Sequence, residues 1–193
     1  MILKERETKE TKIRLELAQE APAGLESKLD TGVGFFDHML TLFSFHSGLY
    51  LKVEADGDTY VDDHHTVEDI GIVLGEAIRD LYQSLGSYER YGSFYLPMDE
   101  VLARVVLDLS GRPHLEFAAY FSREKVGNFD TELVEEFFRA VAMNSRMTLH
   151  IDLLKGGNSH HEIEAIFKAF ARSLKIALAP ASGGVPSSKG LIA

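Results

Sequence analysis

The chain carries the sequence His64-His65-Thr66-Val67-Glu68-Asp69-Ile70 and, 96 residues later, the related sequence His160-His161-Glu162-Ile163-Glu164-Ala165-Ile166. Both follow the pattern HHxxExI, and each opens a segment whose apolar residues recur with the 3.6-residue period of an amphipathic helix. The apolar positions are Ile70, Val73, Leu74, Ala77, Ile78 and Leu81 in the first segment, and Ile166, Phe167, Phe170, Leu174 and Leu178 in the second. The repetition indicates an internal duplication.

The segments ahead of the two histidine pairs also match. Residues 49–53 and 147–151 alternate as half-buried strands do, and they lie 98 residues apart. Two Phe- and Leu-rich segments upstream of these strands are predicted helices, and the same offset places Glu136 opposite His38. Further strands are predicted at residues 12–17, 102–109 and 115–119. The two upstream helices are expected at residues 36–45 and 133–141.

These elements predict an α+β fold made of a duplicated unit. Each half is expected to be a small antiparallel or mixed sheet with two helices on one face, which is the architecture of a ferredoxin-like sandwich or of ribosomal protein S5 domain 2. We place both repeats in one catalytic domain spanning 1–193, with the first repeat at about 6–90 and the second at about 91–180. The turn-rich residues 181–193 are expected to form a substrate-binding tail.

Composition restricts the functions that are open to this chain. Its 193 residues are 45% hydrophobic and 26% charged, as in an ordinary globular protein, and the net charge of −10 argues against nucleic-acid or membrane binding. Because the chain has no cysteine, a metal must be held by imidazole and carboxylate groups. We expect a cytoplasmic protein without a membrane span or secretion signal, since no apolar run is long enough for either.

The histidine pairs suggest a metal centre. At the start of a helix, residues i and i+4 share a face, whereas residue i+1 points about 100° away, so the two rings of a pair diverge. Two such motifs therefore predict two metals. The two pairs, with His38, Glu68, Glu164 and the symmetry-matched Glu136, supply eight ligands, enough for two four-ligand sites. Imidazole with carboxylate suits Mn, Fe, Zn or Ni better than Ca or Mg.

Several of these residues have an ordinary structural interpretation as well. A single histidine pair is commonly a solvated helix start. His38 alone would be interpreted as a core residue, and Glu136 alone as an exposed acid on a helix. Lys168 lies four residues after Glu164, so it either pairs with that carboxylate or projects towards an anion. Further phosphate-binding candidates lie in loops, at Arg90, Arg112 and residues 187–189. His46, His114 and His150 have no support from any pattern.

Six spaced strings carry a family resemblance: residues 36–40 (FDHML), 62–69 (DDHHTVED), 108–113 (DLSGRP), 160–165 (HHEIEA), 167–171 (FKAFA) and 186–190 (PSSKG). Together, and in this order, they closely resemble the imidazoleglycerol-phosphate dehydratases, and the resemblance extends from about Arg6 to the C-terminus. Members of that family dehydrate imidazoleglycerol phosphate to imidazoleacetol phosphate in histidine biosynthesis, at a pair of Mn ions. The resemblance implies a metal-bound imidazolate and a diazafulvene-like intermediate.

The resemblance also implies roles for individual residues. It gives one Mn to His38, His65, Glu68 and His161, and the other to His64, His160, Glu164 and position 136. Many members have His at that last position, where this chain has Glu136. Substrate contacts are implied for Glu10, His46, Arg90, Arg112, Lys168, Ser187, Ser188 and Lys189. The expected catalytic residues are Glu10, Glu164 and His46, with Glu10 as the acid or base that moves the side-chain proton.

The resemblance further implies a large homo-oligomer, with 24 subunits and with sites shared between subunits. Two other functions remain open from the residues alone. A dinuclear phosphate-ester hydrolase would use the same ligands with a metal-bound hydroxide. A non-enzymatic binding module is the third, because small duplicated α+β units also occur as binding domains.

Overall fold

Two four-stranded sheets are built by the two halves of the chain in the same order. The structure, a computed structural model, describes residues 1–182. The first half contains β1 (Ile2–Glu7), β2 (Thr11–Ala18), β3 (Lys28–Asp30), α1 (Gly34–Ser47), β4 (Tyr50–Gly57) and α2 (His64–Ser84). The second half contains β5 (Tyr91–Met98), β6 (Val101–Asp108), β7 (His114–Ala118), β8 (Lys125–Val126), β9 (Phe129–Asp130), α3 (Leu133–Ser145), β10 (Thr148–Lys155) and α4 (Ser159–Ala177).

The strand orders confirm the predicted duplication. The first sheet has the order β1-β2-β4-β3 and the second the order β5-β6-β10-β7. In both sheets the last strand runs parallel to its neighbour and the other pairs are antiparallel, so each sheet is mixed. Strands β8 and β9 form a small hairpin that has no counterpart in the first half.

The central strands follow from their alternating sequence. Along β2, Ile13, Leu15 and Leu17 are fully buried, while Lys12 and Arg14, which alternate with them, are exposed. Strand β6 repeats this pattern with Val101, Ala103, Val105 and Leu107. Because side chains of a strand alternate between the faces of a sheet, each sheet has one apolar face, and the helices pack there.

The helices of the two halves pack crosswise. Helix α2 lies on β1 and β2 and also packs against α3, whereas α4 lies on β5 and β6 and packs against α1. Each half therefore contributes one helix to each contact between the halves. Aromatic rings fill the core between them, with Phe43 stacked on Phe170 at 5.6 Å and Phe137 on Phe167 at 5.2 Å.

Sequence reasoning missed the short and peripheral strands. It did not predict β1, β3, β5, β8 or β9. Strand β1 alternates charged residues rather than apolar ones, and it is held by pairing with β2 along its whole length. Its half-buried cations reach acids of α2, Lys4 to Asp80 at 2.7 Å and Arg6 to Asp69 at 2.8 Å. Among residues 1–182, no helix is both long and apolar enough to cross a membrane.

Candidate metal centre

Three ligand-type side chains meet where α1 packs on α4, at what we call the α1–α4 corner: His38, His160 and Glu164. His160 and Glu164 lie one helical turn apart on α4 and therefore share a face. Their Nε2 and Oε2 atoms are 3.3 Å apart, and Nε2 of His38 lies 3.6 Å from the same oxygen. Packing of α1 on α4 thus brings together residues that are more than 120 positions apart in sequence.

The spacing of these atoms suits a divalent ion. Two ligand atoms that each lie about 2.1 Å from an ion are about 3 to 3.5 Å apart at octahedral or tetrahedral angles. The measured separations of 3.3 and 3.6 Å are close to that range. Imidazole with carboxylate is also a donor set for Mn, Fe or Zn. The residues of the α1–α4 corner therefore fit a metal of the kind the sequence predicts. The corner groups His38 with His160 and Glu164, however, whereas the resemblance assigns His38 to one metal and the other two residues to the second.

Charge at the corner keeps Glu164 ionised. Its side chain is only 10% exposed, and burial alone would raise its pKa. The hydrogen bond and charge of Lys168, with smaller contributions from His38 and His160, outweigh burial, so the pKa of Glu164 is lowered. The sequence left two interpretations of Lys168, an ion pair with Glu164 or a contact with an anion. The structure contains the ion pair.

The two rings of each histidine pair point apart, as the helical spacing predicts. The His64 and His65 rings are 6.1 Å apart at 81°, and the His160 and His161 rings are 6.2 Å apart at 82°. The second ring of each pair faces a carboxylate instead of the corner. Nδ1 of His65 lies 3.1 Å from Asp58, which raises the pKa of His65, and Nδ1 of His161 lies 3.2 Å from Glu100.

The other predicted ligands do not join the α1–α4 corner. Within residues 1–182, the groups of three or more side chains close enough to share an ion are the corner itself and Asp99, Glu100 and His161. Neither group contains His64, His65, Glu68 or Glu136. The reason lies in the packing, because α2 and α3 contact each other and form a separate α2–α3 corner. There, Glu136 lies 3.9 Å from Arg139 of its own helix.

One cleft lies beside the α1–α4 corner. It has a volume of about 810 Å³, and its wall is formed by the segments that precede α1, α2 and α3, together with His160 in the first turn of α4. Its lining includes His38 and His160 of the α1–α4 corner, and Asp62 and Asp63 directly before the first histidine pair. The burial of Asp63, helped by Asp130, raises the pKa of its carboxyl group.

Two of the implied phosphate contacts, Arg90 and Arg112, share one acid near the C-terminal end of α4. Arg90 is buried and bonds Asp108 through Nε and Nη2 at 2.6 and 3.0 Å, and Arg112 lies 3.9 Å from the same acid. The backbone N–H of Arg90 donates to the carbonyl of Ala177, at the far end of α4. A helix rises 1.5 Å per residue, so that end is about 25 Å from His160.

The other implied substrate contacts lie on α1, in the turn between β1 and β2, or outside the described part of the chain. His46 on α1 is half-buried, and burial, followed by the charges of Lys168 and Arg172, lowers its pKa. Glu10 is exposed in the turn between β1 and β2, and its carbonyl accepts the N–H of Asp58 at 3.1 Å. Ser187, Ser188 and Lys189 lie outside the described residues.

Sequence reasoning missed Asp58 and Glu100, which contact the second histidine of each pair, and Asp108, which contacts both loop arginines. The internal duplication could have indicated one of these residues, Glu100. The strands β2 and β6 begin 90 residues apart, at Thr11 and Val101, so Glu100 is the counterpart of Glu10. Asp58 has no such signal, because its counterpart at the offset of 98 is Gly156.

Comparisons with known proteins agree on one family. Residues 31–174 match the family model described as imidazoleglycerol-phosphate dehydratase. The chain is 64% identical over 190 residues to the enzyme of that name from Staphylococcus carnosus. The alignment covers 98% of this chain and 97% of the relative. It is 61% identical over 188 residues to the one from Staphylococcus epidermidis, covering 97% and 96%.

Solved structures of the same name are similar as well. The crystal structure from Staphylococcus aureus N315 matches with a TM-score of 0.85 and 55% identity, over 93% of this chain and 98% of that chain. The Pyrococcus furiosus structure, in complex with (S)-C348, matches with a TM-score of 0.84 and 36% identity, over 97% and 99%.

Proposed function

The chain belongs to the imidazoleglycerol-phosphate dehydratase family, and on that premise we propose how its residues carry out the reaction. The activity is the removal of water from imidazoleglycerol phosphate to give imidazoleacetol phosphate, a step of histidine biosynthesis. The single observation that carries it is the near-complete match to relatives of this name. The same observation disfavours the phosphate-ester hydrolase and the binding module.

The metals are proposed to be Mn, held by the eight predicted ligands. The first turns of α1 and α4 would supply His38, His160, His161 and Glu164, and the first turns of α2 and α3 in a neighbouring chain His64, His65, Glu68 and Glu136. In this arrangement each metal implied by the resemblance takes two ligands from each chain. Within residues 1–182 the two sets share no cluster of ligand atoms, which supports a site completed between chains.

A site shared between chains also accounts for the phosphate contacts. Arg90 contacts the end of α4 that lies about 25 Å from His160, and Arg112 contacts the same acid as Arg90. That end of the helix is too far from the α1–α4 corner of the same chain to hold a small substrate bound there. We therefore assign the two arginines, with Ser187, Ser188 and Lys189, to the phosphate at a site completed by another subunit. The predicted 24-subunit assembly would have a mass of about 516 kDa, 24 times that of the 21.5 kDa chain. Light scattering or native mass spectrometry measures it.

Dehydration requires loss of a C–H proton and departure of a hydroxyl group from neighbouring carbons. When bound, the metal pair supplies Lewis-acid binding of the substrate's imidazole ring and stabilises negative charge on it. The carboxylate of Glu10 makes no hydrogen bond or ion pair with residues 1–182, so it is available to accept and return a proton. His46, whose lowered pKa keeps its ring neutral near pH 7, is the alternative proton acceptor.

The experiment is an assay of metal-stripped protein with imidazoleglycerol phosphate, before and after addition of Mn. Formation of the ketone product and of inorganic phosphate is followed in the same samples. We expect ketone after Mn is added, and no phosphate release. Phosphate release would instead support the hydrolase, and ketone formed equally well without metal would contradict the proposed metal centre. A cytoplasmic location remains a prediction from the sequence.

A further inference from the structure

The second histidine of each pair is held by a carboxylate from outside its helix. Nδ1 of His65 lies 3.1 and 3.3 Å from the two carboxylate oxygens of Asp58, and Nδ1 of His161 lies 3.2 Å from Oε2 of Glu100. Asp58 directly follows β4, and Glu100 lies in the turn between β5 and β6. In both cases the Nε2 side of the ring is the one that remains for another partner.

Glu100 is fixed in place by the start of α4. Its Oε1 accepts the backbone N–H of Asn158 at 2.7 Å, and this bond is the largest cause of the lowered pKa of Glu100. A Cβ atom on Gly157 would lie 2.3 Å from Cγ and Oε1 of Glu100. Glycine is therefore required at position 157 for the carboxylate to lie against the chain there. One oxygen anchors Glu100, and the other remains for His161.

Asp58 is fixed by its own backbone. Its N–H donates to the carbonyl of Glu10 at 3.1 Å, and its carbonyl accepts the N–H of Val61 at 2.8 Å. The side chain of Asp58 is only 13% exposed, although the residues that follow it in the loop are exposed. The carboxylate therefore faces His65 from a position that the surrounding turn determines.

The two halves make this contact from different positions in the repeat. Glu100 corresponds to Glu10, yet it is Asp58 that faces His65, and the counterpart of Asp58 is Gly156. A contact inherited passively from the duplication would use equivalent residues. Each half instead places a carboxylate at Nδ1 of its second histidine from a different position in the repeat.

We propose that Asp58 and Glu100 are positioning residues, which hold the proton on Nδ1 of His65 and of His161 so that each Nε2 lone pair is directed at a metal. The physical basis is general: the second nitrogen of a ligating histidine is commonly bound by a carboxylate, which fixes the tautomer and the ring orientation. This inference rests on the proposed function, because it takes His65 and His161 to be metal ligands.

A different role for Glu100 makes a distinct prediction. Asp99 lies 3.9 Å from Nδ1 of His161, so Asp99, Glu100 and His161 together form a group that is itself compact enough to bind an ion. In that arrangement Nδ1 would be a ligand atom and Glu100 a ligand. Loss of Glu100 would then remove a whole metal, whereas loss of a positioning residue weakens binding and leaves the number of metals unchanged.

The test compares Asp58→Asn and Glu100→Gln with two controls, Asp56→Asn and Glu116→Gln. Each control removes one negative charge from an exposed strand residue of the same half of the chain. The Mn affinity and the number of Mn ions per chain are measured on metal-stripped full-length protein by competition with a colour-changing chelator. The thermal midpoint of the metal-free protein is measured in parallel.

We expect Asp58→Asn and Glu100→Gln each to weaken Mn binding by about 10- to 100-fold. The number of bound ions at saturation and the metal-free thermal midpoint should remain those of the wild type, as should the affinities of both controls. A merely structural role would instead lower the metal-free midpoint. If Glu100→Gln disturbs the start of α4, Asp58→Asn decides the question, because Asp58 anchors no helix.

Three results would overturn the inference. The first is affinities that match those of the controls. The second is a lost metal in Glu100→Gln, which would make Glu100 a ligand. The third is a weakened Mn affinity in variants whose metal-free protein also has a lowered thermal midpoint. Wild-type protein that binds no Mn would overturn the proposed metal centre as well, so failure of the proposed function is distinguishable from failure of this inference.

Discussion

The two helix contacts between the halves are built differently, although the halves share one topology. On α2, Gly71 and Gly75 face α3, and a Cβ atom on Gly75 would lie 2.7 Å from the carbonyl oxygen of Val141. The counterparts on α4, 96 residues on, are Phe167 and Ala171. Close backbone approach therefore holds α2 to α3, whereas aromatic side chains fill the space around α4.

The same comparison applies to the candidate site. In the α1–α4 corner, His38, His160 and Glu164 already lie together and Lys168 contacts the carboxylate. In the α2–α3 corner, Glu136 takes the position of His38 and Ile72 that of Lys168. Duplication thus preserved the backbone that presents the ligands, while the charge around them diverged. The two corners should therefore respond unequally to mutation.

The largest effect is expected from breaking the preformed corner. His38→Ala removes a proposed ligand, so the affinity for the metal assigned to it should fall by more than about 100-fold, which is a larger loss than that expected for a residue that only orients a ligand. Turnover should fall with it. Chelator competition and the ketone assay measure both quantities. His150→Ala, which removes an exposed histidine from the outer face of the second sheet, is the control, and equal behaviour of the two variants would contradict the assignment.

A smaller effect is expected from adding a methyl group where α2 meets α3. Gly75→Ala should destabilise the protein by about 1 to 3 kcal/mol, because the new Cβ meets the backbone of α3 and one of the helices must shift. The higher helix propensity of Ala, about 1 kcal/mol, opposes this loss. Urea unfolding measures it. The reciprocal change Ala171→Gly should cost about 1 kcal/mol from propensity alone. A stabilised Gly75→Ala variant would show that α2 and α3 do not approach closely.

Tyr82 distinguishes the halves by a hydrogen bond. Its hydroxyl donates to the carbonyl of Ser145 at 2.9 Å, and its counterpart on α4 is Leu178. Tyr82→Phe should cost about 1 kcal/mol near neutral pH. The exposed Tyr120→Phe should have no measurable effect on stability.

Tyr82 also predicts an alkaline loss of stability. Burial raises its pKa to about 12, above the value of about 10 in an unfolded chain. The folded state therefore favours the protonated hydroxyl: this contribution is complete below pH 10 and is lost as pH rises from 10 through 12. Urea unfolding between pH 9 and 11 should show a steeper decline in the wild type than in Tyr82→Phe. Parallel declines would mean that other groups dominate.

The smallest effect is expected from making the corners alike. Glu136→His places imidazole at both symmetry-related positions and removes one negative charge from the α2–α3 corner. Because imidazole favours Zn and Ni relative to Mn more than carboxylate does, the preference for Zn over Mn should increase. Competition between the two ions for metal-stripped protein measures the change. An unchanged preference would indicate that position 136 holds no metal.

The sequence predicted those parts of the fold that bury a regular apolar pattern. The four helices and the central strands β2, β4, β6 and β10 were found from periodicity, and the repeated histidine pairs related the two halves. Strand β1 was missed because its half-buried face carries Lys4 and Arg6, whose charges are neutralised by acids of α2. No local pattern reports such a long-range pairing.

The candidate site was predictable in part for the same reason. The diverging rings of each pair follow from helix geometry alone. That His38 lies beside His160 depends on which helices pack together, and this is a property of the whole fold. Asp58 and Glu100 lie in turns, where no periodicity marks a side chain that reaches a histidine.

The two diverging histidines of each pair are proposed to serve different metals. The number of Mn ions bound per chain tests this in the wild type, in His160→Ala and in the double variant His160→Ala/His161→Ala. We expect two ions, one and none. A single ion per chain in the wild type, or two ions retained in the double variant, would contradict it.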